Sequence, residues 1–183
     1  MISNLNKNKL YVIESDYKVE AKATFYSLLY ESLTNNEKVL LIKYNHSNTY
    51  GHFIDNAKAE NVGEDIIDNF HLIQVEIYAS FLSDTFDTIK KFGEKVDRIF
   101  IEKPNIEDGY KYLDYLREMK RSVFVLPANK DKEYAKHCDY LINVGKEKQN
   151  ASTKDFILSC TNGKDCEKYK VVFVNYNLLK QVK

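Results

Sequence analysis

Short apolar runs alternate with longer amphipathic segments along most of this chain, and this alternation restricts the fold more than any other feature. Three runs are continuously apolar: Val39–Ile42, Ile99–Ile101 and Val123–Leu126. Continuous apolar runs are typical of central parallel strands that are covered on both faces. The segments between them are long enough for the helical crossovers that parallel strands require. The pattern therefore predicts a three-layer α/β fold, in which helices flank a mostly parallel sheet.

The predicted elements fill one domain that spans residues 1–183. Strands are predicted at 9–14, 38–43, 70–75, 97–102, 122–127, 139–144, 155–160 and 169–175. Helices are predicted at 20–35, 48–60, 78–93, 106–120 and 131–137. The last two strands are separated by Asn162 and Gly163, a pair typical of tight turns, and this predicts a C-terminal antiparallel β-hairpin. The polar segment 145–154 is predicted to be a mobile loop.

The charge balance excludes one broad class of function. The chain has 27 Lys and Arg residues against 27 Asp and Glu residues, whereas broad non-specific nucleic-acid binding usually requires a basic surplus. Residues 145–183 nevertheless hold eight lysines against four acidic residues. A solvated surface explains such a segment. The alternative is a face that binds a partner or single-stranded nucleic acid through Lys146, Lys148 and Lys154.

Nothing in the sequence indicates a membrane or an oxidising compartment. Residues 1–20 lack the apolar stretch of a signal peptide, and no apolar run approaches the length of about 18 residues expected of a membrane span. The three cysteines are expected to be free thiols, as is usual in the cytoplasm. We therefore expect a cytoplasmic protein that does not bind membranes.

The segment after the first strand has the position of a phosphate-binding loop but contains no glycine. Leu10–Ile13 forms the predicted strand, and the following helix has an apolar face that includes Phe25 and Leu29. A phosphate-binding loop needs glycines so that its backbone N–H groups can close around the phosphate oxygens. Lys22 is the residue type that reaches phosphates in such loops. The segment therefore indicates the frame of a nucleotide hydrolase with an altered loop.

The order of elements resembles the RecA-like ATPase core of the KaiC/DnaB type over nearly the whole chain. The family's Walker A pattern is G-x-x-x-x-G-K-[ST]. When it is placed on Lys22, Asp16 and Ala21 replace the glycines and Ala23 replaces the hydroxyl residue. Thr24 follows one position late. The resemblance implies that Lys22 and Thr24 occupy nucleotide-binding positions in a degenerate Walker A motif.

Other family positions also differ from the usual residues. Glu102 ends the strand that carries the Walker B aspartate, and its longer side chain suits octahedral Mg²⁺ coordination less well. Asn45 replaces the glutamate that acts as general base, and an amide cannot accept a proton from water. Pro127 and Ala128 replace the polar sensor. The segment Ser159–Gly163, where the family's basic finger residues fall, has no arginine, and Lys164 is the nearest cation.

The resemblance therefore implies a RecA-like domain that does not hydrolyse ATP and works through binding, regulation or scaffolding. Its expected partner is a protein, either a second copy of this chain or a RecA-like ATPase, in DNA replication or recombination. No cofactor is expected. One alternative is a nucleotide-binding, ATPase-like protein in which Lys22, Thr24 and Glu102 hold ATP and magnesium in an atypical loop. A second alternative is an accessory protein that binds single-stranded DNA.

Two further groups of residues have simpler explanations. His137, Cys138, Cys160 and Cys166 are a conceivable zinc ligand set, but the chain has no Cys-x₂-Cys pair and free thiols are expected. The other group is the tyrosine-rich helix at 106–120. Its residues at 112, 113 and 116 are predicted to pack inward, and those at 110 and 115 are candidates for a protein interface.

Overall fold

A mixed β-sheet with helices on both faces forms the protein. The computed structural model describes residues 5–44, 48–77, 82–102, 104, 110–146, 156–174 and 178–181. Within these residues the sheet has nine strands, in the order β3-β2-β4-β5-β1-β6-β7-β8-β9. The first six strands are parallel to their neighbours, and β7, β8 and β9 continue the sheet in antiparallel fashion.

The elements follow the predicted order closely. The strands are β1 Leu10–Glu14, β2 Val39–Lys43, β3 Leu72–Glu76, β4 Arg98–Glu102, β5 Ser122–Leu126, β6 Tyr140–Gly145, β7 Phe156–Thr161, β8 Cys166–Val174 and β9 Leu178–Gln181. The helices are α1 Lys18–Thr34, α2 Thr49–Glu60, α3 Leu82–Phe92, α4 Lys111–Arg117 and α5 Tyr134–His137. Short 3₁₀ helices lie at Glu64–Asn69 and Gly93–Lys95. Within the described residues no helix combines the length and apolarity that crossing a membrane requires.

Each face of the sheet has its own apolar core. The helices α1 and α2 cover one face, where Phe25 and Phe53 are fully buried. The helices α3, α4 and α5 cover the other, through residues such as Ile89, Tyr112 and Tyr134. Because β1, β2, β4 and β5 are buried on both faces, they need apolar side chains at successive positions. The predicted three-layer architecture is therefore confirmed.

A row of stacked aromatic rings crosses four strands on the face that α1 and α2 cover. Tyr11 stacks on Tyr140 at 5.1 Å and on Phe124 at 4.9 Å, and Phe124 stacks on Phe100 at 4.6 Å. The residues are register partners on β6, β1, β5 and β4, so their side chains lie on the same face. The stack ties the centre of the parallel sheet to the strand that adjoins its antiparallel part.

The C-terminal hairpin is confirmed and belongs to a larger antiparallel unit. The strands β7 and β8 are joined by a turn in which Asn162 Oδ1 accepts hydrogen bonds from the backbone N–H groups of Lys164 and Asp165. Gly163 has a φ of 84°, which favours glycine. The strand β9 was not predicted. The predicted loop 145–154 lies mostly outside the described residues, with Gly145 at the end of β6 and Lys146 directly after it.

Candidate functional site

The carboxyl ends of the parallel strands meet at one edge of the sheet, and buried charged residues are concentrated there. Lys43 ends β2 and Glu102 ends β4, and the two are register partners. Glu76, at the end of β3, is the register partner of Lys43 on its other side. Glu14 ends β1. Ligands of open α/β sheets usually bind at this edge, so it is the candidate functional site.

The turn between β1 and α1 is much shorter than a phosphate-binding loop. The strand ends at Glu14 and the helix begins at Lys18, which leaves only Ser15, Asp16 and Tyr17 between them. The Ser15 hydroxyl accepts a hydrogen bond from the Tyr17 N–H and donates one to the Val144 carbonyl. The turn is therefore tied to its own backbone and to β6.

The helix α1 has already begun where the phosphate loop was expected to continue. The N–H of Ala21 donates to the Tyr17 carbonyl at 2.9 Å, which is a helical hydrogen bond. In a glycine-rich loop, backbone N–H groups of this segment would point at the phosphates instead. The bonded N–H of Ala21 thus cannot serve an anion in this conformation. Lys22 lies in the second turn of the helix rather than at its start.

The Lys22 side chain reaches the buried carboxylate of Glu102. The Lys22 Nζ lies 3.7 Å from Glu102 Oε1, and the Tyr26 hydroxyl donates to Glu102 Oε2 at 2.6 Å. Glu102 is fully buried, whereas the Lys22 side chain is 30% exposed. The Tyr26 ring stacks in turn on His52 from α2, with 4.2 Å between the ring centroids. Two residues from α1 therefore hold the Glu102 carboxylate from the side of the candidate site.

A second lysine lies beside Glu102 and is almost entirely buried. The Lys43 side chain is 1% exposed, and its Nζ lies 3.1 Å from the Thr49 hydroxyl and 3.3 Å from Glu76 Oε1. As register partners on neighbouring parallel strands, Lys43 and Glu102 project to the same face of the sheet. A buried charge is tolerated when opposite charges and hydrogen bonds compensate it. The two lysines provide this compensation for Glu102.

A cleft of about 440 Å³ opens beside the β1–α1 turn. One side is apolar, with Ile13, Val19, Leu126 and Pro127 in its wall. The charged residues of the lining are Glu14, Asp16, Lys18, Lys22 and Lys130. At the rim, the Lys130 Nζ lies 3.3 Å from Asp16 Oδ1. The volume falls within the range usual for small-molecule pockets.

Glu14 is the buried acid of this cleft. Its residue is 7% exposed, and Oε2 has no hydrogen-bond partner among the described residues. The carboxylate accepts a hydrogen bond from the backbone N–H of Asp131. Burial raises the pKa of Glu14 above its ordinary value, and the nearby Lys130 ammonium opposes this shift. The environment of Glu14 thus disfavours its charge more than that of an exposed carboxylate.

The structure separates the three predicted nucleotide-binding residues. Lys22 lines the cleft and contacts Glu102, which lies beneath it at the end of β4. Thr24 is fully buried, and its hydroxyl donates to the Glu20 carbonyl at 2.8 Å. Pro127 and Ala128, at the predicted sensor position, line the cleft directly. Asn45, at the predicted base position, lies outside the described residues.

The predicted basic residues lie elsewhere. Lys164 is exposed in the β7–β8 turn. The Lys146 ammonium lies over the rings of Tyr17 and Phe156, at 5.7 Å and 5.4 Å from their centroids, and so contacts the β1–α1 turn. Lys148 and Lys154 lie outside the described residues, so nucleic-acid binding by this segment stays a prediction.

The cysteines that were considered as zinc ligands lie in different parts of the fold. Cys138 belongs to the core under α4 and α5, and Cys160 belongs to the core on the opposite face of the sheet. Cys166 is exposed at the start of β8. His137 Nδ1 lies 2.9 Å from Asp114 Oδ1. This arrangement keeps Cys138 and Cys160 apart.

The tyrosine-rich helix packs as predicted. Tyr112, Leu113 and Leu116 of α4 are buried, and Tyr110 and Tyr115 are half-buried. A hydrogen bond from the Tyr110 hydroxyl to Asp131 raises the pKa of Tyr110 to about 12. The Tyr110 ring also stacks on His137. A partner-binding role for Tyr110 and Tyr115 stays a prediction.

The sequence reasoning overlooked Glu14 and Lys43. Each is a single charged residue at the end of a run of apolar residues, in Leu10–Glu14 and Val39–Lys43. A charge that directly ends a predicted buried strand is a usable signal, because such a residue must lie at the carboxyl edge of the sheet. The same signal did identify Glu102.

Comparison with known proteins agrees with this geometry at the level of the fold. No family model matches the chain, and no curated protein matches its sequence. Among 412 matching chains of solved structures is the ATPase domain of a DnaB-like helicase, with a TM-score of 0.73 and 9% sequence identity. The match covers 97% of this chain and 86% of that one. Together with the sheet order, this similarity establishes a RecA-like α/β fold.

Proposed function

We propose that this RecA-like domain does not hydrolyse ATP and acts by binding a protein partner. The observation that carries the proposal is the three-residue turn between Glu14 and Lys18. A helical turn takes the place of a phosphate-enclosing loop, and the Ala21 N–H is already bonded to Tyr17. Catalysis of phosphoryl transfer depends on positioned donors around the phosphates. This turn offers fewer of them than a glycine-rich loop.

The charges around Glu102 support the same conclusion. A Walker B carboxylate needs to be available to the magnesium ion and its water ligands. Here Lys22 and Tyr26 already contact the Glu102 carboxylate, and Lys43 is its register partner. A divalent ion at Glu102 would lie close to two ammonium groups. Each would repel the ion by more than the 1 kcal/mol or so expected for unit charges about 4 Å apart in water.

The surface beside the site supports binding as the activity. Tyr17, Val19 and Tyr50 are exposed large apolar residues at the starts of α1 and α2, and both helices begin at the carboxyl edge of the sheet. Exposed aromatic residues grouped at one edge are typical of interfaces. We propose a second copy of this chain or a RecA-like ATPase as the partner, and regulation or scaffolding in DNA replication or recombination as the role. This assignment of process rests on the fold.

The alternative of nucleotide binding is favoured by one observation, namely that Lys22 lines a cleft of sufficient size. Thermal unfolding with and without millimolar ATP and Mg²⁺ distinguishes the two functions. A nucleotide present at a tenfold excess over its Kd would stabilise the protein by about 1.4 kcal/mol. We expect no stabilisation and no phosphate release. ATP turnover that is lost in the Glu102→Gln variant would contradict the proposal.

Partner binding is tested separately by light scattering and by capture from the native host. We expect either self-association or recovery of a RecA-like ATPase. The Val19→Asp variant should weaken the complex, because Val19 is 66% exposed at the edge of the cleft and a charge there disfavours apolar contact. Lys164→Asp changes an exposed residue of the β7–β8 turn and serves as the control. A strictly monomeric protein that captures no partner would overturn this part of the proposal.

A further inference from the structure

The cleft beside the β1–α1 turn combines an apolar wall with one buried acid. Ile13, Val19, Leu126 and Pro127 form the wall, and Glu14 provides the acid. Glu14 is 7% exposed, and its Oε2 has no hydrogen-bond partner among the described residues. Leaving a buried polar atom unpaired costs about 1–3 kcal/mol, and native structures rarely keep one without a reason. The unpaired oxygen therefore points to a ligand that donates a hydrogen bond.

The lysines of the lining do not fill this role in the structure. Lys130 is paired with Asp16 at the rim, with 3.3 Å between Nζ and Oδ1. Lys22 is paired with Glu102, with 3.7 Å between Nζ and Oε1. Lys18 is exposed at the first position of α1. The cations at the cleft are thus held at its rim and beneath it, whereas Glu14 Oε2 stays unpaired among the residues that the structure describes.

We propose that the cleft binds an alkylammonium or alkylguanidinium group, whose charged end pairs with Glu14 and whose aliphatic stem packs on the apolar wall. Such a ligand supplies the missing hydrogen-bond donor and an opposite charge, which is what a buried carboxylate requires. The aliphatic stems of lysine, arginine and polyamines cover apolar surface readily while the charged end makes polar contacts. The volume of about 440 Å³ accommodates a stem of that size.

The same chemistry is available from two sources, a free polyamine or a lysine or arginine side chain of a protein partner. The second source would deepen the proposed function, because the exposed Tyr17 and Val19 flank the cleft and extend the contact surface. The inference rests on the proposed function in one respect, since both require that nucleotide does not occupy this edge of the sheet. The two remain separable, because ATP binding and amine binding are measured independently.

Calorimetric titration of the full chain tests the inference. The probes are spermidine and butylamine, with 1-butanol as the uncharged control, and a lysine-containing peptide, with its acetyl-lysine counterpart as control. We expect both amines to bind and 1-butanol not to bind. Tighter binding of the lysine peptide than of its acetylated counterpart and of spermidine would identify a protein side chain as the source. Tighter binding of spermidine would identify a free polyamine.

Matched variants locate the site. Glu14→Gln should weaken amine binding at least tenfold, whereas Glu20→Gln removes the same charge from a residue of α1 that does not line the cleft and should leave affinity unchanged. Because Glu14→Gln removes a buried charge, its melting temperature should be no lower than that of the wild type, which checks its fold. Chemical-shift changes at Ile13, Val19 and Ala128 on amine addition provide a second readout. Absence of amine binding, or equal affinity of Glu14→Gln and the wild type, would overturn the inference.

Discussion

The Lys22 ammonium lies 3.7 Å from the carboxylate of Glu102, so the two residues that would share a nucleotide and its metal ion are paired with each other. The pair spans from the second turn of α1 to the end of β4, and Tyr26 binds the other oxygen of Glu102. A nucleotide could enter this arrangement only by displacing an existing ion pair from a fully buried carboxylate. The pair is therefore best described as part of the folded core, and its contribution is measurable as stability.

The first prediction concerns this pair. Glu102→Ala should destabilise the protein by about 3–5 kcal/mol, because it removes one partner of a buried charge network and leaves Lys43 without a neighbouring carboxylate on that side. Lys22→Met should cost less, about 1–2 kcal/mol, because its side chain is 30% exposed and keeps its apolar stem. Denaturant unfolding of the single variants and the double variant gives the coupling energy. Additive effects would show that the pair contributes nothing beyond its separate residues.

The second prediction concerns the pH dependence of stability at Glu14. Folding raises the pKa of this carboxyl above its ordinary value of 4.5, so the folded state binds the proton more tightly than the unfolded state. The resulting stabilisation is fully present below pH 4.5 and is lost as the pH rises through the raised pKa. Glu14→Gln stays neutral, so its stability relative to the wild type should increase over that window, by the order of 1 kcal/mol. Parallel pH profiles of the two proteins would contradict this.

The third prediction concerns the row of stacked rings. Phe124 lies between Tyr11 and Phe100 and is fully buried. Phe124→Ala should cost about 3–5 kcal/mol, through lost burial and the cavity that remains, and Phe124→Leu should cost less because it keeps most of the volume. Val19→Ala, at a residue that is 66% exposed, should change stability by less than about 0.5 kcal/mol. Chemical denaturation monitored by circular dichroism measures all three changes.

The fourth prediction concerns the thiols. Burial raises the pKa of Cys138 to about 12 and that of Cys160 to about 11, whereas Cys166 is exposed. Because the thiolate is the reactive form, a disulfide reagent at neutral pH should modify Cys166 quickly and the other two slowly in the native protein. All three should react after unfolding. Rapid native modification of Cys138 or Cys160 would mean that their segments open readily.

The fold was predictable from the sequence to a greater extent than the site was. Central strands such as β4 and β5 have apolar residues at nearly every position, so their pattern survives without knowledge of their neighbours. The strand β9 was missed because strands at the edge of a sheet carry mixed residues, here Leu178–Gln181. The first turn of α1 was also missed. The segment Lys18–Glu20 has no strong capping residue before it, and only the structure places it within the helix.

Within the site, residue types were predictable but their pairings were not. The position of Glu102 followed from its place at the end of an apolar run, and its contact with Lys22 was not foreseen because it depends on where α1 begins. The unpaired oxygen of Glu14 is likewise a property of packing, since it depends on the distance to Lys130 and on the backbone of Asp131. Such distances arise from three-dimensional contacts between segments that lie far apart in the sequence.

The early start of α1 also has an evolutionary consequence. Rebuilding a phosphate loop here would require Lys18–Ala21 to leave the helix, which would break the bond between the Ala21 N–H and the Tyr17 carbonyl and expose Ala21, now 4% exposed. Glycine substitutions at Asp16 and Ala21 would change the side chains and leave this helical turn in competition with the loop. A descendant of this chain would therefore regain nucleotide chemistry only through a backbone rearrangement or an insertion. Reversion by successive point mutations is closed to it, and the lineage is committed to whatever the present turn binds.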